Sequence, residues 1–141
     1  ITLIKDLPHG ELNLCLLLVV IVLTDSLAYF GGRKFGKTPL APGISPKKTR
    51  EGSLCGTVGS MFVGSMIAVN WLEFSWPMAL LLTFLISVLG QVGDLVESKM
   101  KRLCGVKDSG KVLPGHGGIL DRLDSFLLTT PFFYYWMLLI A

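Results

Sequence analysis

At 141 residues the chain has room for one domain. Its 51% hydrophobic content and mean hydropathy of +0.61 exclude an ordinary soluble domain and point to a membrane protein. The formal charge is only +3, but the basic residues gather in two loops between apolar runs, and no nucleic-acid partner is expected.

Three cysteines, Cys15, Cys55 and Cys104, have no CxxC spacing. A disulfide framework or a zinc site is therefore not expected. The opening segment ITLIKDLPHGEL lacks the cationic head and small-residue cleavage site of a signal peptide. The abrupt start and finish lead us to expect the C-terminal part of a larger protein.

Leu12 to Phe30 is the first expected span, about 19 residues against the roughly 20 needed to cross the hydrocarbon core. Its one charge is Asp25. A loop from Gly31 to Gly52 follows, with six basic residues and one acid, Glu51. Pro39, Pro42 and Pro46 preclude a long helix through its middle. Ser53 to Trp71 is the second span, where Ser60-xxx-Gly64 fits the small-xxx-small pattern of close helix contact.

The link LEFSWP permits only a tight return, and Pro77 suits the first turn of a third span ending near Glu97. Leu123 to Ala141 is the fourth, interrupted by Pro131. Between these last two, Glu97 to Asp124 holds six basic and four acidic residues, while the opposite side has Glu73 and little else. The positive-inside rule then places both basic loops in the cytoplasm. The expected fold is all-α: a polytopic integral membrane protein of about four transmembrane helices with two basic cytoplasmic loops, one membrane domain over residues 1–141.

Chemistry concentrates near those loops. Asp94 lies more than a turn inside its span, where a carboxylate is costly and faces a cavity or a partner. A metal-ligand role is favoured there over a helix-end Asp that reaches water or pairs with a nearby Lys. A continuing helix would put Gly90, Asp94, Ser98 and Lys101 on one face.

Asp121 and Asp124 stand three apart, so they repel unless a cation lies between them. Oxygen ligands of this kind suit Mg²⁺ or Mn²⁺. Alone, the pair reads equally well as a helix-start arrangement favouring the dipole. The turn containing His116, Gly117 and Gly118 can aim backbone N–H groups at an anion. Lys101, Lys107, Lys111 and Arg122 suit phosphates or serve topology alone. In the first loop, Ser45, Lys47 and Lys48 suit oxyanions, with headgroup attraction as the alternative. Asp25 and Tyr29 share a face just before it.

The stretch Ser98 to Asp124 fills the signature S-x-φ-K-R-x4-K-D-x-small-x2-φ-P-x-H-G-G-φ-x-D-R-φ-D, with φ apolar, without a gap. It resembles the phosphatidate cytidylyltransferase (CDP-diacylglycerol synthase) family. Upstream, Asp25-Ser26-x-Ala28-Tyr29, Gly32-Arg33, Gly36-Lys37 and ISPKKTxEG extend the likeness over nearly the whole chain. Arg50 departs from it, standing where relatives often carry an aromatic, and the family's further N-terminal spans are expected to lie outside this stretch.

The resemblance implies transfer of CMP from CTP to phosphatidate, giving CDP-diacylglycerol and pyrophosphate in phospholipid biosynthesis. It implies Asp94 and Asp121 as primary ligands of Mg²⁺ or Mn²⁺, with Asp124 beside them or just behind, and leaves a second cation open. Lys107, Lys111, His116 and Arg122 would hold phosphates, with Ser45, Lys47 and Lys48 near the CTP and Ser98 near Asp94. Lipid would enter laterally from the bilayer. A bacterial cytoplasmic (inner) membrane location, with the site facing the cytoplasm, and a homodimeric assembly are expected. Rival readings are a CDP-archaeol synthase, a polyprenol kinase, or a non-catalytic scaffold with a lipid-binding loop.

Overall fold

The computed structural model describes residues 2–5, 9–105 and 120–140, with side chains given from Ile4 onward and, in the last helix, from Ser125 onward. Short α1 (Thr2–Lys5) precedes α2 (Gly10–Phe35), a hairpin of β1 (Pro39–Ala41) and β2 (Ser45–Thr49), α3 (Arg50–Trp71), α4 (Trp76–Leu103) and α5 (Leu120–Ile140). The chain is an all-α membrane protein apart from this small hairpin. Among the described residues α2, α3 and α4 are long and apolar enough to cross a bilayer, and α5 adds an apolar stretch over Ser125–Ile140.

Two helices outrun their apolar runs. The first continues past Phe30 to Phe35 and takes Arg33 and Lys34 into its last turn, where cations favour the helix dipole. Likewise α4 continues to Leu103 with Lys101 and Arg102 in its last turn, so Ser98 and Lys101 lie on a helix rather than in a loop. At 28 residues α4 is about 42 Å long. Pro77 occupies its first turn, as its missing N–H allows. The other proline, Pro131, lies inside α5, whose helix continues through it.

The helices meet through small residues. Gly52, Gly56, Ser60, Gly64 and Ala68 recur every fourth residue on α3, and all are buried. A Cβ added at Gly52 would lie 2.5 Å from the Ala28 carbonyl oxygen of α2. Side chains there would force the backbones apart, so the stripe sets the approach of α3 to α2. Further along, Leu16, Leu17, Leu82, Ile86 and Phe133 fill the interior. Val22, Leu54, Val58 and Phe62 point outward, as lipid-facing residues do.

The hairpin replaces the irregular loop expected between the first two spans. It is antiparallel, with Pro39 opposite Thr49 and Ala41 opposite Ser45. Pro39 lies on a three-residue strand at the start of the hairpin, a position that tolerates its missing donor. Arg50 N–H donates to the Thr38 carbonyl at 3.0 Å, tying the hairpin base to the start of α3. The Thr49 hydroxyl then caps α3 by accepting from Gly52 N–H at 3.2 Å.

Candidate active site

A cavity of about 440 Å³ opens where the hairpin lies against the ends of α2, α3 and α4. Its charged lining is Asp25 and Arg33 from α2, Lys47 and Lys48 from β2, and Asp94 from α4. Ser45, Tyr29, Ser53 and Gln91 also face it. Among the described residues three cations face two carboxylates, a balance that favours a polyanion.

The Lys48 ammonium donates to the Asp94 carboxylate, joining the hairpin to α4. Both side chains are partly covered, 31% and 24% exposed respectively. On the same helix, the Ser98 hydroxyl donates to the other Asp94 oxygen at 3.3 Å. Asp94 thus pairs with a Lys, the alternative to a ligand role, although that Lys comes from the distant hairpin and not from its own helix.

The hairpin is held from outside by Glu51. Its carboxylate accepts from Lys37 N–H at 3.1 Å, Thr38 N–H at 3.2 Å and the Thr38 hydroxyl at 2.7 Å. Hydrogen bonds to an ionised acceptor are stronger than neutral ones. Glu51 therefore clamps the strand entrance onto the first turn of α3. Arg102 adds a contact from α4, its Nε donating to the Ile44 carbonyl at 3.5 Å.

Beneath the cavity a polar network links three helices. The Gln91 side-chain amide donates to the Thr57 hydroxyl at 2.9 Å, and its oxygen accepts from the Ser53 hydroxyl. The Ser87 hydroxyl joins Thr57 at 3.4 Å and accepts from the Thr24 hydroxyl at 3.0 Å. With its amide engaged on both sides, Gln91 is a scaffold for the floor. Lone polar side chains inside apolar runs are the sequence signal for this network, one turn from Asp94.

Asp25, Ser45, Lys47, Lys48 and Asp94 thus share one cavity, with Ser98 bonded to Asp94. Lys101 does not line it; its ammonium lies 3.2 Å from buried Glu97 on the same helix. Lys107, Lys111, His116, Gly117 and Gly118, and the side chains of Asp121, Arg122 and Asp124, lie outside the described residues.

The α5 backbone nonetheless fixes a register. Gly90 of α4 faces Ser125 and Thr129 of α5, where an added Cβ would lie 3.8 and 3.7 Å away. Position 121 is one turn before Ser125 and Asp94 one turn after Gly90 on a helix running the other way, so the two backbone positions stand at similar height. For a hard cation, the Asp94 oxygens with the adjacent Ser98 hydroxyl are the right donor type. Among the described residues no three His, Cys, Asp or Glu side chains converge, so remaining ligands would come from α5, from substrate phosphates or from water. All three cysteines are free thiols.

The phosphatidate cytidylyltransferase of Helicobacter pylori is 51% identical over 118 residues, covering 84% of this chain and 44% of that protein. The Bacillus subtilis protein of the same name is 51% identical over 124 residues, covering 87% of this chain and 46% of its own. That of Synechocystis is 46% identical over 140 residues, covering 96% of this chain and 46% of its own. The chain spans about half the length of the curated relatives it matches.

A solved structure, described as an intramembrane enzyme for archaeal membrane lipids biosynthesis, aligns with a TM-score of 0.58 at 19% identity, over 84% of this chain and 77% of that one. That likeness is one of fold. The model of the Cytidylyltransferase family matches residues 1–140, and with it the signature, the basic hairpin and the intramembrane carboxylate find one explanation: the chain belongs to that family.

Proposed function

We propose that this chain supplies the nucleotide- and metal-binding portion of a phosphatidate cytidylyltransferase, which transfers CMP from CTP to phosphatidate and releases pyrophosphate. The observation that carries the reading is the cavity in which a basic hairpin meets Asp94 of the apolar helix α4. The shared name of the relatives supports the same substrates. A phosphate oxygen of phosphatidate is itself the nucleophile. It forms a bond to the α-phosphorus of CTP as the bond to the bridging oxygen breaks, and pyrophosphate carries away the electron pair. No serine or cysteine nucleophile is required.

The demand on the protein is to bring two polyanions together and offset their charge. Lys47 and Lys48, with Ser45 beside them, hold the CTP phosphates from the hairpin side. Lys107, Lys111 and His116, from the stretch between α4 and α5, and Arg122, from the first turn of α5, are further phosphate-holding residues on this reading. Asp25 lines the same cavity. Asp94, with Asp121 and Asp124, would hold Mg²⁺ or Mn²⁺, and a second cation is compatible with three carboxylates. When bound, the metal neutralises and orients the phosphates.

This reading also puts the full protein in the bacterial cytoplasmic membrane with this cavity facing the cytoplasm, supported by the basic residues gathered at that end. The same reading takes it as a homodimer, which light scattering in detergent tests directly. The decisive assay measures labelled CDP-diacylglycerol formed from CTP and phosphatidate with Mg²⁺ by the full-length protein. Asp94→Asn and Asp121→Asn are each expected to abolish product, and unchanged turnover in either would remove that residue from the metal site. A panel of acceptor lipids in the same assay decides between phosphatidate and other membrane acceptors.

A further inference from the structure

Lys48 and Asp94 cannot both take up the roles given above while they hold each other. A carboxylate oxygen accepting from an ammonium is not offering that position to a metal. An ammonium on a carboxylate is not on a phosphate. The two side chains come from β2 and α4 and meet inside the cavity, partly covered on both sides.

We infer that Lys48 is the resident counter-cation of Asp94, and that arrival of metal with nucleotide exchanges partners. Asp94 would turn its oxygen to the metal, and the released Lys48 ammonium would move to a nucleotide phosphate. This inference rests on the ligand role proposed for Asp94. It follows from charge balance at both ends of the exchange. A partly covered carboxylate at the end of a span is costly without a cation, and Lys48 supplies one while the nucleotide is away. Its flexible four-carbon stem carries a compact charge that can swing to a new anion without backbone movement.

Lys47 provides the contrast, since it lines the same cavity but makes no ion pair with a described residue. Metal alone evicts Lys48 without bringing a phosphate to receive it, whereas metal arriving with nucleotide brings one. The exchange makes metal loading depend on nucleotide.

The test measures Mn²⁺ binding by electron paramagnetic resonance on the full-length, detergent-solubilised protein, with and without a non-hydrolysable CTP analogue. Lys48→Met is expected to tighten Mn²⁺ binding about tenfold without nucleotide, a discounted share of the attraction in a partly exposed pair. With Mn²⁺ present, the same change should weaken analogue binding about tenfold, through loss of a charged phosphate contact. Lys47→Met should move Mn²⁺ binding less than about twofold, because an exposed charge is screened. Lys48→Gln carries the same prediction should Lys48→Met fail to fold.

Asp94→Asn separates the two readings. If it removes Mn²⁺ binding but Lys48→Met brings no tightening, or Lys47→Met tightens equally, the exchange is overturned and the ligand role stands. If Asp94→Asn leaves Mn²⁺ binding intact, both fall. Should the unaltered protein bind Mn²⁺ too weakly to detect, binding that appears in Lys48→Met supports the exchange, and continued absence overturns it.

Discussion

Gly56 of α3 lies against the backbone carbonyl of Thr24 on α2, where an added Cβ would stand 2.5 Å from the oxygen. Neither backbone can retreat without opening the stripe that runs from Gly52 to Ala68. Gly56→Leu is therefore expected to destabilise the protein by about 1–3 kcal/mol, as overpacking does. A lowered melting temperature in detergent checks this, and a melting point matching the unaltered protein would contradict the close approach.

The polar floor predicts a graded response. Gln91→Leu strips partners from Ser53 and Thr57 together, and leaving buried polar groups unsatisfied costs about 1–3 kcal/mol. Thr24→Val removes one interhelical contact, to Ser87, together with a bond to the Val20 carbonyl of its own helix, and interhelical hydrogen bonds in membranes average about 0.6 kcal/mol. Thermal unfolding of the two variants should rank them in that order. Equal losses would show that Gln91 does not join the helices.

Glu51 acts on the cavity only through the hairpin. Glu51→Gln keeps the shape but loses the charge that holds Lys37 N–H and the Thr38 groups. The KM for CTP should rise several-fold with a smaller change in kcat, because the hairpin lysines lose their fixed position while the α4 carboxylate keeps its own. Steady-state kinetics on the full-length protein measures the split. A fall in kcat alone would place Glu51 elsewhere in the reaction.

Chelation tests the donor set from another side. EDTA should abolish product formation, and Mg²⁺ or Mn²⁺ should restore it, since both favour oxygen ligands. Zn²⁺, which favours nitrogen and sulfur, should restore it poorly. Activity that persists in EDTA would leave Asp94 as the partner of Lys48 and nothing more.

Much of this architecture is legible in the sequence because bilayer thickness imposes a run length, and among the described residues α2, α3 and α4 satisfy it. The ends were less legible. Arg33, Lys34, Lys101 and Arg102 look like loop charge, yet all are good helix formers placed where the dipole favours them. The hairpin gave little warning, since SPKKT has no apolar alternation and its partner strand is three residues long. Lys48 and Asp94 were each singled out by chemistry. Their pairing was not, because 46 residues separate them and only the antiparallel return of α3 and α4 brings them together.

The length of α4 sets the depth at which reaction takes place. About 20 residues cross the hydrocarbon core, and counting from Trp76 that distance ends beside Asp94. With the core counted from Trp76, the carboxylate would stand near the boundary between hydrocarbon and headgroups. Under the proposed reaction, phosphatidate need not be lifted from the bilayer: its chains stay among their neighbours while its phosphate slides sideways to the nucleotide. A rod of fixed length in a membrane of variable thickness also acts as a gauge. Under the same proposal, a thicker bilayer would be met by a more upright α4 and a thinner one by greater tilt, and the depth of Asp94 would tie lipid activation to membrane thickness.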